Sequence, residues 1–319
     1  METIGSLSDQ FMDPFQSKRV GLSVAPDEQS KRYRTKGIQS MTNFSKMTLI
    51  MGISTLGLAA CTSTDMAEKD MSDKVEMASA SGDLCTTMGP QTPRDITSKV
   101  GLNTTMFAMA PPSTEMNLCN IHTHTNAEHK GPGFSIFAGA TDDGGYQCNE
   151  TPNLSTAELA PYTGPRSYEG AEPGDTIEVH WVHTTCDTLP GEGLGNCVSC
   201  DDPTLRVETQ VLLVTNDGNG ADMMDFAYLG NSKNGLAQPL AIPTGTGEPV
   251  TFRGSTTGPS YNQSVCSPAQ VTWSVRPQCA KVDVRSVHNW AKSDTTFNET
   301  KSHGVRQLVT APELLSEIQ

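Results

Sequence analysis

Asn120-Ile121-His122-Thr123-His124-Thr125-Asn126-Ala127-Glu128-His129 is the stretch from which the rest of the chain can be read. In an extended strand successive side chains point to opposite faces, so His122 and His124 share one face with Asn120. Further along, Glu178-Val179-His180-Trp181-Val182-His183 has the same strand-like character. Five of the seven histidines lie in these two runs. Alternation puts Glu178 and His180 on one face and His183 on the other. If the two strands are neighbours, His180 comes beside His122 and His124. Three neutral imidazoles at three corners of a tetrahedral ion leave the fourth corner for water, the layout of a catalytic zinc site.

Outward from these runs the pattern stays β. Segments 118–125, 134–139, 176–185, 205–216, 250–252, 269–276 and 280–287 are strand-like, supplied largely by Val, Ile, Thr and aromatics. Gly, Pro, Asn and Asp separate them. The clearest helix expectation is short and acidic, at 311–318. The expected fold is mainly β: a single domain on a twisted, largely antiparallel sheet with long loops. The 319 residues carry 36 acidic and 22 basic side chains, a net charge of −14. A surface that negative repels nucleic acid and anionic lipid head groups.

The N-terminal part reads differently. Lys46 precedes an uncharged, apolar run at 47–58, too short for a stable membrane anchor, which ends in Leu58-Ala59-Ala60-Cys61. That ending resembles the bacterial lipobox, in which the cysteine is lipidated and becomes the new N-terminus. The expected organisation is a disordered leader or mis-assigned upstream segment at 1–40 and a lipoprotein signal peptide at 41–60. A flexible tether at 61–84 and a catalytic domain at 85–319 follow. The expected location is the periplasmic side of a Gram-negative bacterium, anchored through lipid on Cys61. Thr62, being no aspartate, favours the outer membrane. No protein partner is implied. Besides Cys61, eight of the nine cysteines remain, an even number suited to an oxidising compartment and a disulfide-stapled domain. Cys197-Val198-Ser199-Cys200 follows a glycine-rich loop, not a strand leading into a helix, so structural bridges are expected there instead of a redox motif.

In series, these motifs resemble the carbonic anhydrases, the delta class most and the alpha class more loosely. The resemblance rests on His122-Thr123-His124, then Glu128-His129, then Glu178-Val179-His180-Trp181-Val182-His183. A third block, Gly254-Ser255-Thr256-Thr257-Gly258-Pro259 followed by Val271-Thr272-Trp273, is similar to the alpha-class loop, minus its leucine. The resemblance implies an alpha-carbonic-anhydrase-like fold and a Zn²⁺ cofactor held by His122, His124 and His180. The implied reaction is reversible hydration of CO₂ to bicarbonate by a zinc-bound hydroxide, which makes the chain a carbonate dehydratase. It further implies that Glu128 and Thr256 orient the hydroxide, with Thr257 as the alternative if the register shifts. Asn120 and Glu178 would brace the ligating histidines. Val182 and Trp273 would wall the CO₂ pocket, completed by a residue from Val211 to Val214. His129, His288, His303 or loop water would pass the proton out.

Other functions fit parts of the pattern. A cupin-type metal enzyme would use His122, His124, Glu128 and His180, with the carboxylate favouring iron or manganese; the glycines of that motif are absent. The run Pro173 to Trp181 resembles a strand of multicopper oxidases, but their further H-x-H pairs and H-C-H step are missing. A non-enzymatic lipoprotein would carry no metal and hydrate no CO₂.

Overall fold

The computed structural model describes residues 83–319. The expected leader, signal peptide and Cys61 lie outside these residues, as does the tether apart from its last two residues. Among the described residues no helix is long and apolar enough to cross a membrane.

The described chain contains β1 (Asn117–Thr125), β2 (Phe134–Gly139), β3 (Gly145–Cys148), β4 (Thr176–Thr184) and β5 (Leu205–Thr215). These are followed by β6 (Ser232–Lys233), β7 (Leu236–Ala237), β8 (Val250–Ser255), β9 (Gln270–Val275), β10 (Ala280–Asp283) and helix α1 (Val284–Ser293). The main sheet has six strands in the order β1-β4-β5-β9-β8, with β10 beside the C-terminal half of β5. β1 with β4, β4 with β5 and β8 with β9 are antiparallel. β5 runs parallel to β9 and β10, so the sheet is antiparallel-dominated but mixed. β2 pairs with β3, and β6 with β7, as separate two-stranded ribbons.

Alternation gives the sheet two buried faces. Ile121, Val179, Trp181 and Leu212 face one way and pack with Val284, Val287 and Trp290 of α1. Val182, Val207, Val211 and Trp273 belong to a second core with Phe252. A β-bulge at Cys119 decides which side the histidines take. Leu118 lies opposite His183 and Asn120 opposite Val182, leaving Cys119 as the extra residue. Across the bulge the parity changes. Leu118 stays with the helix-side core, while Cys119 belongs to the core on the other face.

Two element expectations need correction. Segment 280–287 is not one strand: β10 ends at Asp283, whose carboxylate accepts from the backbone N–H groups of Arg285 and Ser286 and caps α1. The β-branched Val284 and Val287 suit a strand, but they serve the buried stripe of a helix whose start Asp283 fixes. The helix expected at 311–318 is only a single 3-10 turn, Pro312–Leu314, with chain on either side extended at Ala311 and Leu315.

Four disulfides staple the described chain: Cys85–Cys266, Cys119–Cys197, Cys148–Cys279 and Cys186–Cys200. The C-x-x-C pair is therefore split, each cysteine bonded to a different partner.

Candidate metal centre

The pairing of β1 with β4 sets His122 directly opposite His180, and His124 opposite Glu178. The three imidazoles form a tight triangle, with ring centroids 5.1 Å (His122 to His124), 5.0 Å (His122 to His180) and 4.7 Å (His124 to His180) apart. One ligating atom of each lies within 4.8 Å of the others. His180 Nδ1 and His122 Nε2 approach to 3.2 Å. Two zinc-bound nitrogens at about 2.0–2.1 Å in a tetrahedron are separated by about 3.3 Å.

The outer nitrogens show which inner ones are bare. His122 Nδ1 meets Asn120 Oδ1 at 2.6 Å, and His124 Nδ1 meets the carbonyl of Gly304 at 3.1 Å. His180 Nε2 lies 3.4 Å from Glu178 Oε2. Each of these neighbours is an oxygen that can only accept, so the ring proton belongs on the outer nitrogen and the lone pair faces inward. His124 Nε2 is buried without any protein partner. Burial pushes the His122 imidazole well below the usual histidine range, and repulsion from His180, His124 and His303 adds to it. Burial also lowers His124, against the pull of Glu128. Neutral rings with converging lone pairs and an orphaned nitrogen are what a divalent metal with nitrogen preference fits.

The supporting carboxylates are buried. Glu178 Oε2 accepts from the Glu128 backbone N–H at 2.7 Å, and Oε1 lies 3.5 Å from His129 Nδ1. Burial alone raises the Glu178 carboxyl, but contacts with His129 and His180 outweigh it and hold it below the usual carboxylate range. Glu128 Oε1 sits 3.3 Å from His124 Nδ1 and accepts from Arg306 N at 3.4 Å.

Two cavities meet at the histidines. A cleft of about 520 Å³ is lined by His122, His124, Leu194, Thr257, Lys301 and His303, among others. A small apolar pocket beside it is lined by His122, His180, Val182, Leu194, Val207 and Trp273, together with Leu205, Val271, Thr256 and Thr257. Thr256 Oγ1 shares a 2.6 Å hydrogen bond with Ser267 Oγ, while Thr257 borders both cavities. Trp273 Nε1 donates to the carbonyl of Ser255 at 2.9 Å, which fixes the indole 5.1 Å from the His180 ring.

A profile of the delta carbonic anhydrase family matches residues 113–286, more than half of the chain. The chain belongs to the delta carbonic anhydrase family. It is accordingly a carbonate dehydratase, acting on CO₂ and bicarbonate. No curated protein matches the sequence. Among solved structures, one similar chain is a hyperthermostable carbonic anhydrase from an active hydrothermal vent chimney. It is 14% identical, covering 67% of this chain and 83% of its own, with a TM-score of 0.27. Another is an alpha-carbonic anhydrase from Thermovibrio ammonificans in complex with the inhibitor sulfanilamide. It is 13% identical with the same coverages and a TM-score of 0.25.

Several residues of this carbonic anhydrase site escape the sequence. Leu194, Leu205, Val207 and Val271 line the apolar pocket, not a residue from Val211 to Val214. Val207 follows only once the register is known, because it pairs with Val182. The Gly304 carbonyl has no sequence signature at all. His183 lies with Leu118 across from the metal side, fully buried, its Nδ1 on the Trp181 carbonyl at 3.1 Å. Of the three histidines considered for proton transfer, His129 is wholly buried and His288 is stacked on Tyr162, whereas His303 borders the cleft.

Proposed function

We propose that His122 Nε2, His124 Nε2 and His180 Nδ1 hold a zinc ion, and that CO₂ is hydrated in front of it. The observation carrying this reading is the convergence of three imidazoles, His124 and His180 buried and His122 half-buried, whose outer nitrogens are each turned to an acceptor oxygen. When bound, zinc supplies a Lewis acid that makes hydroxide available from water at neutral pH, by lowering a pKa of about 15.7 to about 7. The protein's own residues do the rest. Val182, Leu194, Val207 and Trp273 hold uncharged CO₂ against the histidines by apolar contact. Glu128, behind His124, works with Thr256 or Thr257 at the pocket edge to aim the attacking oxygen at the carbon. Asn120 and Glu178 keep the ring tautomers that turn lone pairs inward. His303 Nε2, bordering the cleft and 3.1 Å from Glu299, takes the proton toward solvent.

The cupin alternative makes Glu128 a direct ligand. Here its Oε1 lies beside His124 Nδ1, the nitrogen bonded to Gly304, and the family match favours the hydratase. H180A is expected to lose both bound zinc, by metal analysis of the purified protein, and CO₂ hydration, by stopped flow. Undiminished hydration in H180A overturns the ligand set.

A further inference from the structure

We propose that Glu299 is a positioning residue of the metal centre, holding the middle of the His122-Thr123-His124 run from outside the sheet. The proposal rests on the ligand set given above. β1 is an edge strand, and an edge strand's outward N–H and C=O groups lack a strand partner. Here a segment near residue 300 supplies partners. His303 N donates to the Thr123 carbonyl at 2.8 Å, and Thr125 N donates to the His303 carbonyl at 2.9 Å. The next outward group, the Thr123 N–H, donates to Glu299 Oε1 at 2.8 Å. A carboxylate oxygen thus stands where a neighbouring strand would place a carbonyl. Thr123 Oγ1 donates to the same oxygen at 2.8 Å.

Position gives this contact its consequence. Thr123 lies between two of the three ligating histidines, and its peptide groups set the spacing of their Cα atoms along the strand. Glu299 is itself fixed: it is 6% exposed, its N–H donates to Asp294 Oδ2 at 3.3 Å, and its Oε2 lies 3.1 Å from His303 Nε2. The segment also delivers the Gly304 carbonyl to His124 Nδ1. Glu299 falls outside the 113–286 stretch matched by the family profile. Removing the acceptor strands the buried Thr123 N–H, although the Thr123 hydroxyl keeps Tyr168 Oη as a partner, and the strand edge must shift to find another acceptor. Residues that orient ligands from behind typically change metal affinity about 10–100-fold. Glu299 acts one bond further out, so about tenfold is expected.

The test is zinc affinity by chelator competition, together with the visible spectrum of the Co²⁺-loaded full-length protein. Three variants are compared with wild type. E299A should bind zinc about tenfold more weakly and show an altered cobalt spectrum. E299D keeps the charge but withdraws the oxygen by about 1.5 Å; it should behave like E299A and carries the test if E299A does not fold. E299Q retains an acceptor oxygen for Thr123 and should restore both affinity and spectrum, a rescue that a merely structural acid would not show. Wild-type affinity and spectrum in E299A or E299D overturn the proposal. So does a loss in E299Q equal to that in E299A, because an acceptor oxygen alone would then not restore the site. A wild-type protein that holds no metal overturns the ligand set and this proposal with it.

Discussion

His180 and His183 stand three residues apart on β4 and meet opposite environments. His180 faces the other two metal-site histidines, while His183 is enclosed against the far side of the sheet. Burial lowers the His183 imidazole from 6.5 to about 4. Its folded pKa is thus below its unfolded one, so its contribution to stability is complete above pH 6.5 and is lost as pH falls toward 4. At pH 5 the loss amounts to about 2 kcal/mol. Urea unfolding should show a smaller drop in stability between pH 7.5 and pH 5 for H183Q than for wild type; identical drops contradict the assignment. At this scale the sequence was informative where chemistry is carried by side chains at strand spacing. The H-x-H and E-x-H runs put Asn120, His122, His124, Glu178 and His180 together because alternation gives the residues of each run one shared face, while the bulge at Cys119 sets which side of the sheet that face takes. It was silent on the Gly304 carbonyl and on Glu299, since a backbone oxygen or a lone acid after a helix carries no pattern.

Between strands, one bulge and one loop shape the site. Cys119 is both the bulge residue of β1 and the anchor of Cys197, and its carbonyl accepts from the N–H of Gly191 at 3.0 Å. Asn120 continues the link, with Nδ2 on the Gly191 carbonyl at 3.1 Å and Oδ1 on His122. The same loop brings Leu194 to the apolar pocket, and Cys186–Cys200 closes its base. Replacing Cys119 and Cys197 together by serine should lower unfolding stability by about 2–5 kcal/mol. CO₂ hydration should also fall several-fold in kcat/KM, because Leu194 and Asn120 lose their tether; unchanged kcat/KM in a folded variant contradicts this role for the loop. The β-branched runs made the long strands legible. They also hid α1, whose valines suit either structure until the Asp283 cap is recognised. The pairing of cysteines was beyond reach, because partners as far apart as Cys85 and Cys266 meet only in the finished fold.

Across the whole molecule, the sheet separates structure from chemistry. One face is closed by α1 and its apolar stripe. The other carries the histidines, with segments before and after the family-matched stretch built in around them. Gln91 Oε1 accepts from Ser267 N at 2.9 Å and from Arg306 at 3.1 Å, joining both ends of the described chain behind Thr256 and Glu128. Arg306 is buried in this junction and Arg94 is buried against the Ser316 carbonyl, and burial lowers both guanidinium groups to about 10. The strand-like runs forecast a mainly β domain but not this closure, which depends on single polar residues meeting across the fold. All of the proposed chemistry returns to one ion and its neighbours. X-ray absorption at the zinc edge of the purified full-length protein examines that directly. Three nitrogen scatterers and one oxygen at about 2.0–2.1 Å, with imidazole outer-shell features, are expected. Sulfur in the coordination sphere, fewer than three imidazoles, or no bound zinc would contradict the site as described.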